Sequence, residues 1–339
     1  MPGRERMDFI ARLLEQQANF ISRHQLASGA IPWYEDGVTD PWDHVECAIA
    51  LDLTGRFDLA VRAYHWLREI QNPDGSWYAG YTDDKPSNLT VDTNYNSYLA
   101  TGLWYHYLVA GEIGFLREMM PVLDKAVDLV LQFQQPTGEI LWARDANGNV
   151  WPGAILGSCC CIWQSLRNAV RVAQLVGVER PAWEQAGERL LEAIKERPDL
   201  FDRHGEDDQG FATNWYYPVL TGVVDGPEAE ALIGKHWDEF VVESWGCKCV
   251  KGAPWVTVAE TSELIMALCR MRDTVRSGLV TNWMLQLKDH GGGFQTGIKL
   301  PELMIWPEEQ NTWTSAGVIM ALSARAKMNG SRVKGLYVR

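Results

Sequence analysis

Apolar residues recur every three to four positions along most of the chain, as in 57–71 (FDLAVRAYHWLREIQ) and 116–134 (LREMMPVLDKAVDLVLQFQ), while strand-like alternation is scarce. The pattern predicts an essentially all-helical protein. Clusters of Gly, Pro and polar residues interrupt it at 28–34, 72–81, 135–145, 198–206, 244–255 and 290–297. Two helical stretches fit between successive breaks, which predicts helices over 6–27, 41–54, 57–71, 92–111, 115–135, 158–177, 181–197, 211–222, 227–242, 257–273, 276–288 and 311–328.

Twelve helices in six hairpins suggest an (α/α)6 toroid, inner helices surrounded by outer ones, with residues 1–330 as a single domain and 331–339 as a C-terminal tail. If the hairpins alternate outer and inner, every inner helix starts at the same end, and the loops before them meet over the central cavity. Those starts are 39–46, 88–96, 151–159, 210–217, 254–263 and 308–315. They hold Asp40, Asp43, His44, Glu46, Asp92, Asn94, Asn214, Tyr216, Glu260, Glu263 and Asn311, together with Trp42, Trp151, Trp255 and Trp313. Polar and aromatic side chains of this kind suit a sugar-binding rim.

The segment TDPWDHVE (39–46) has two readings. Asp40 is a good N-cap, Pro41 suits the first helical position, and Asp43 sits where a carboxylate complements the helix dipole. Thr257 and Glu260 likewise form the signature of a capping box. Capping leaves Trp42, His44 and Glu46 unexplained, and Glu46 shares a helix face with Asp43, so that the two carboxylates raise one another's pKa. Two carboxylates facing one cavity are also what glycoside hydrolysis uses, a protonated acid for the leaving oxygen and an ionised base for water. The pair selected is Asp43 with Glu260, Asp40, Glu46 and Asp92 being alternatives. The apolar surroundings of Glu260 suggest it as acid and Asp43 as base, an assignment that can be reversed.

The net charge of -13 repels phosphate backbones and argues against nucleic acid. No apolar run approaches the length of a membrane span, and the charged N-terminus is unlike a signal peptide, which suggests a soluble cytoplasmic protein. Seven cysteines, three of them consecutive at 159–161, make a poor disulfide framework and read as reduced thiols. No zinc-ligand spacing, phosphate-binding glycine loop or nucleophile elbow is present, so neither metal nor cofactor is expected. The acidic turn GEDDQG (205–210) reads as a solvated loop.

The turn QNPDGSW (71–77), with a degenerate copy from Gln286 to Gly293 and Phe294, resembles the turn repeated in terpenoid cyclases and protein prenyltransferase subunits, which are built of stacked helical hairpins. Their reaction signatures are missing, since GEDDQG has only two adjacent Asp and no Asp, Cys and His trio suggests a zinc site. The chain is more similar to the six-hairpin glycosidases, which use paired carboxylates and Trp- and Tyr-lined clefts. PWDHVECAIALDLTGRFDLAVRAYHWL with QNPDGSWYAGY resembles a prenyltransferase-like group of bacterial proteins that includes hydrolases of methylated mannose polysaccharide. That resemblance implies an α-mannan-type substrate, O-methylated and cut internally, with Asp40, Asp43 and Glu260 as the functional positions. Methyl ethers would also suit an aromatic cleft. An isoprenoid cyclase or transferase, and a non-catalytic carbohydrate-binding toroid, are the competing readings.

Overall fold

The computed structural model describes residues 3–202 and 210–328, with side chains from residue 8 onward. The GEDDQG turn, apart from Gly210, and the 331–339 tail lie outside the described residues. The helices are α1 (Gly3–His24), α2 (Pro41–Leu53), α3 (Phe57–Ile70), α4 (Thr93–Ser97), α5 (Leu99–Ala110), α6 (Ile113–Leu131), α7 (Leu156–Leu175), α8 (Pro181–Glu196), α9 (Ala212–Thr221), α10 (Gly226–Phe240), α11 (Val258–Arg270), α12 (Thr274–Met284) and α13 (Thr312–Met328). The stretch predicted as one helix over 92–111 is two, because the chain re-forms its turn at Tyr98, which C-caps α4 and N-caps α5. None of the described helices is long and apolar enough to cross a membrane.

Burial separates two classes of helix. In α2 and α13 nearly every side chain is buried, whereas α3 buries one stripe of Ala60, Ala63, Tyr64, Trp66 and Leu67. The buried class packs in sequence: α2 against α5, α5 against α7, α7 against α9, α9 against α11, α11 against α13, and α13 against α2. The flanking helices lie outside, α3 on α2, α8 on α7, α10 on α9, α12 on α11 and α1 on α13.

Short antiparallel strands qualify the expectation of an essentially all-helical chain. They are β1 (Gly80–Thr82), β2 (Lys85–Asn88), β3 (Val91–Asp92), β4 (Ala143–Arg144), β5 (Val241–Val242), β6 (Gly246–Cys247), β7 (Trp255–Thr257), β8 (Gly297–Lys299) and β9 (Met304–Ile305). β1 pairs with β2, β3 with β4, β5 with β6, and β7, β8 and β9 form one sheet in that order. Two to four residues are too few for alternation to register in a sequence.

A repeated lock closes the turns that follow α1, α3 and α6. The side-chain amides of Gln25, Gln71 and Gln134 donate to the carbonyl of their own turn glycine (Gly29, Gly75, Gly138) and also to Leu59, Val122 and Ala186 on the next outer helix. Each glycine has positive φ, and a Cβ at Gly29 or Gly75 would stand 2.3 Å from the carbonyl oxygen of Arg62 or Lys125. The degenerate copy expected from Gln286 falls elsewhere. The left-handed glycine is Gly292, and its carbonyl accepts from Gln17 of α1, so the last turn is locked to the first helix.

The Gly75→Ala variant should therefore lose stability by more than the about 1–3 kcal/mol of a strained backbone conformation, because the neighbouring carbonyl must also move. Gln71→Ala should cost less, about 1–3 kcal/mol for carbonyls left unmatched. Urea unfolding of both variants measures the difference, and a neutral Gly75→Ala would show that the lock carries no strain.

Candidate functional site

The inner-helix starts gather six carboxyl groups, and each owes its position to an element end. Asp40 is the N-cap of α2: one oxygen accepts from the backbone N–H of Trp42 and of Asp43, both at 2.9 Å, and the other accepts from the indole N–H of Trp33 at 2.7 Å. Asp92 repeats the arrangement at α4, taking the N–H groups of Asn94 and Tyr95 on one oxygen and the indole of Trp142, at 2.6 Å, on the other. Asp40 also lines a cavity of about 460 Å³ with Trp33, Val38, Gly80, Asn88 and Tyr95.

One turn into α2, Asp43 hydrogen-bonds to the Asp40 carboxylate and feels the charges of Glu46 and Glu263. Burial first, then repulsion from Asp40 and Glu46, push its pKa well above the carboxylate range. Asp40 is raised as well by burial, but four hydrogen bonds oppose the rise. The shared proton therefore belongs on Asp43.

Glu46, a turn further in, accepts on one oxygen from the indole of Trp42 at 2.9 Å and the hydroxyl of Tyr98 at 3.3 Å. Glu263, from the second turn of α11, accepts from the hydroxyls of Tyr216 and Tyr217. Burial lifts Glu46 to about 7, and burial with repulsion from Glu46 lifts Glu263 to about 8. The Trp42 ring packs on those of Tyr98 and Tyr217, with centroids 5.4 and 6.0 Å apart, and the three wall this floor.

Glu260 sits in the first turn of α11 and accepts from the Thr257 hydroxyl. Thr257 is the N-cap but makes no side-chain bond to its helix backbone, so the expected capping box is replaced by a side-chain pair. The charge of Glu260 is felt by Glu263, Tyr216, Cys247 and Cys249. Glu263 is the fifth-hairpin carboxylate among the charges that raise Asp43.

Other residues expected on the rim divide into two groups. His44 points away from it: Nδ1 accepts from the Ile31 N–H at 3.2 Å, so the protonated Nε2 donates to the Ala63 carbonyl at 2.9 Å. Burial lowers its pKa to about 4 and leaves no ring nitrogen for a sugar. Asn311 accepts from the Thr314 N–H and donates to Thr296, and Asn214 accepts from the Gly157 N–H, so both tie the inner helix starts together. The expectations of substrate contact for His44 and Asn311 are corrected to structural roles, because their polar atoms are already matched. Trp255 commits its indole N–H to the Trp306 carbonyl at 2.8 Å. By contrast Asn94 keeps both amide atoms buried and unmatched, as does Trp313 its indole nitrogen. Trp151 packs on Trp142 with centroids 4.6 Å apart.

Sequence reasoning did not select Trp33, Trp142, Tyr98 or Tyr217. The readable signal for Tyr217 is its place beside Tyr216; the two loop Trp lie 7 and 50 residues from the carboxylates they serve. All seven cysteines are free thiols.

No family model matches the chain. It is 40% identical over 312 residues, 92% of this chain and 86% of the other, to the MMP endo-(1,4)-3-O-methyl-alpha-D-mannosidase of Mycolicibacterium hassiacum. Among solved structures, a glycosidase variant in complex with glucose superposes with a TM-score of 0.76 at 16% identity, covering 97% of this chain and 99% of that one. A D-mannose isomerase does so with a TM-score of 0.74 at 12% identity, covering 96% and 99%. The structural likeness speaks for the fold, and the sequence identity places this chain in the family of glycoside hydrolases to which the M. hassiacum enzyme belongs.

Proposed function

We propose that the protein is an endo-acting hydrolase of an O-methylated, α-linked mannan-type polysaccharide, built as a single closed (α/α)6 toroid over residues 1–330. The family membership supports the substrate class, and the continuous packing from α2 round to α13 and back supports closure. Buried, unpaired thiols suit a reducing compartment such as the cytoplasm.

Asp43 and Glu260 are the catalytic pair. The observation that carries this reading is the buried Asp40–Asp43 carboxyl pair at the start of α2, in which burial and repulsion from Asp40 push Asp43 well above the usual carboxylate range. Asp43 is then the acid that protonates the departing glycosidic oxygen, and Asp40 positions it. Glu260 is the base that takes a proton from water as the water attacks the anomeric carbon from the other side, which inverts its configuration. The roles are the reverse of those suggested by the apolar surroundings of Glu260, because a partner carboxylate at hydrogen-bonding distance outweighs neighbouring residue type. A second arrangement uses Glu263 as the base once it ionises above about 8, where its charge reaches Asp43. Asn94 and Trp313 hold buried, unmatched polar atoms suited to ordered water.

Asp43→Asn and Glu260→Gln proteins should remain folded and lose hydrolysis of a 3-O-methylated α-1,4-mannan oligosaccharide by about 10²–10⁴-fold each. Near-normal turnover by Glu260→Gln with loss in Glu263→Gln would transfer the base role to Glu263; near-normal turnover by Asp43→Asn would end the assignment. NMR of the fresh product should show the anomer opposite to the substrate linkage.

The deep acids also set a pH dependence of stability. Glu46 and Glu263 start from 4.5 when unfolded and are raised to about 7 and about 8 on folding. The folded protein therefore binds more protons between those values, and the stability they contribute is present near their unfolded pKa and lost as pH rises through 7 and 8. Thermal unfolding midpoints should fall over that window, and Glu263→Gln should flatten its upper part. A midpoint unchanged across the window would contradict the buried, neutral state of these groups.

A further inference from the structure

Large exposed apolar side chains are not scattered over this molecule. Among the described residues, Val275 and Leu279 stand on an outer helix, α12. Tyr34, Leu89, Val150 and Phe211 each stand in the segment leading into an inner helix, α2, α4, α7 and α9 respectively. The densest group, Leu303, Met304 and Trp306, lies before α13, with exposures of 54%, 48% and 41%. Seven of these nine side chains thus lie in segments that lead to the helix starts at which the site is built, rather than singly over the surface.

The group around Trp306 is built rather than incidental. Trp255 meets Trp306 edge-on with centroids 4.9 Å apart and donates its indole N–H to the Trp306 carbonyl. The Lys299 ammonium rests 3.7 Å from the Trp306 ring centroid. Leu303 adopts φ +58°, a left-handed conformation that a non-glycine residue rarely takes, and its side chain is exposed. The sheet carrying this group runs through β7 directly into α11, the helix of Glu260.

We infer that the apolar crown centred on Leu303, Met304 and Trp306 is a binding surface for the O-methylated stretch of the glycan beyond the bond being cut. The inference rests on the polysaccharide reading given above. A methyl ether replaces a hydroxyl donor with apolar surface, and a Trp face, a Met thioether and a Leu side chain gain from covering such surface in a way they do not from an unmethylated chain. An internally cut polymer must run past the carboxylates on both sides, and this surface adjoins one of those sides.

The test uses the full-length protein with Trp306→Ala and with the Leu303→Ser/Met304→Ser pair, none of which touches the carboxylates. With a long 3-O-methylated α-1,4-mannan oligosaccharide, each variant should raise KM by about fivefold or more with kcat little changed, and with an unmethylated oligomannoside of the same length KM should stay as in the parent. Calorimetric binding of both glycans to the Asp43→Asn protein, with and without Trp306→Ala, reads the same surface without hydrolysis. If the parent cleaves no mannoside but Trp306→Ala still weakens methylated-glycan binding selectively, the functional reading fails and the surface stands. Equal KM and equal affinity in parent and variants, a loss shared equally by unmethylated glycan, or a change of native mass showing that the patch joins two copies of the chain would each overturn the inference.

Discussion

Backbone N–H groups at the start of a helix have no partner within it, and in this fold the buried inner helices start at a common rim. Whatever satisfies those donors is brought to the centre of the molecule. At α2 and α4 the answer is an aspartate that spends one oxygen on the helix and the other on a loop tryptophan. Helix start and loop are thereby fixed to each other. Asp43 then follows at a set distance along the helix, beside a neighbour whose charge is stabilised by N–H groups rather than by a cation. A capping residue and the proposed catalytic residue are not competing explanations of 39–46, because the cap Asp40 is also the carboxylate beside Asp43.

The same arrangement explains why several acids can share one floor. Each raised pKa at Asp40, Asp43, Glu46 and Glu263 is governed first by burial, and at Asp43, Glu46 and Glu263 other carboxyls add to it. Protonation relieves the repulsion that ionised groups would otherwise suffer at this separation. Tyrosine and tryptophan donors orient the carboxyls without supplying compensating charge, so the floor keeps its capacity to carry protons. A lysine or arginine in place of Trp42 or Tyr217 would ionise these groups and remove it.

Much of this was legible in the sequence. Helical periodicity located the hairpins to within a few residues, since amphipathic spacing is set by burial on one face, and the inner-helix argument singled out Asp40, Asp43, Glu46, Glu260 and Glu263 together. What sequence does not carry is the direction of a side chain once it is buried. His44 and Asn311 share the rim by position but turn inward to structural partners, and Trp33 and Trp142 reach the site from loops with no periodic signature. The glutamine and glycine lock was read at Gln71 and misplaced at Gln286. Its other copies follow different intervening residues, and the last turn borrows its glutamine from α1.

The three locks at Gln25, Gln71 and Gln134 run from each turn to the next outer helix, and Gln17 ties the final turn back to the first. They stitch the outer wall into a hem that asks nothing of the residues between a turn glycine and the following inner helix. Within those intervening stretches the exposed strand β2 can change side chains without loosening the wall, whereas Trp33 and Trp142 must stay, because they hold Asp40 and Asp92. Sugar preference can therefore be rewritten on the exposed side chains of such a loop while the hem, and the tryptophans that hold the acids, stay as they are.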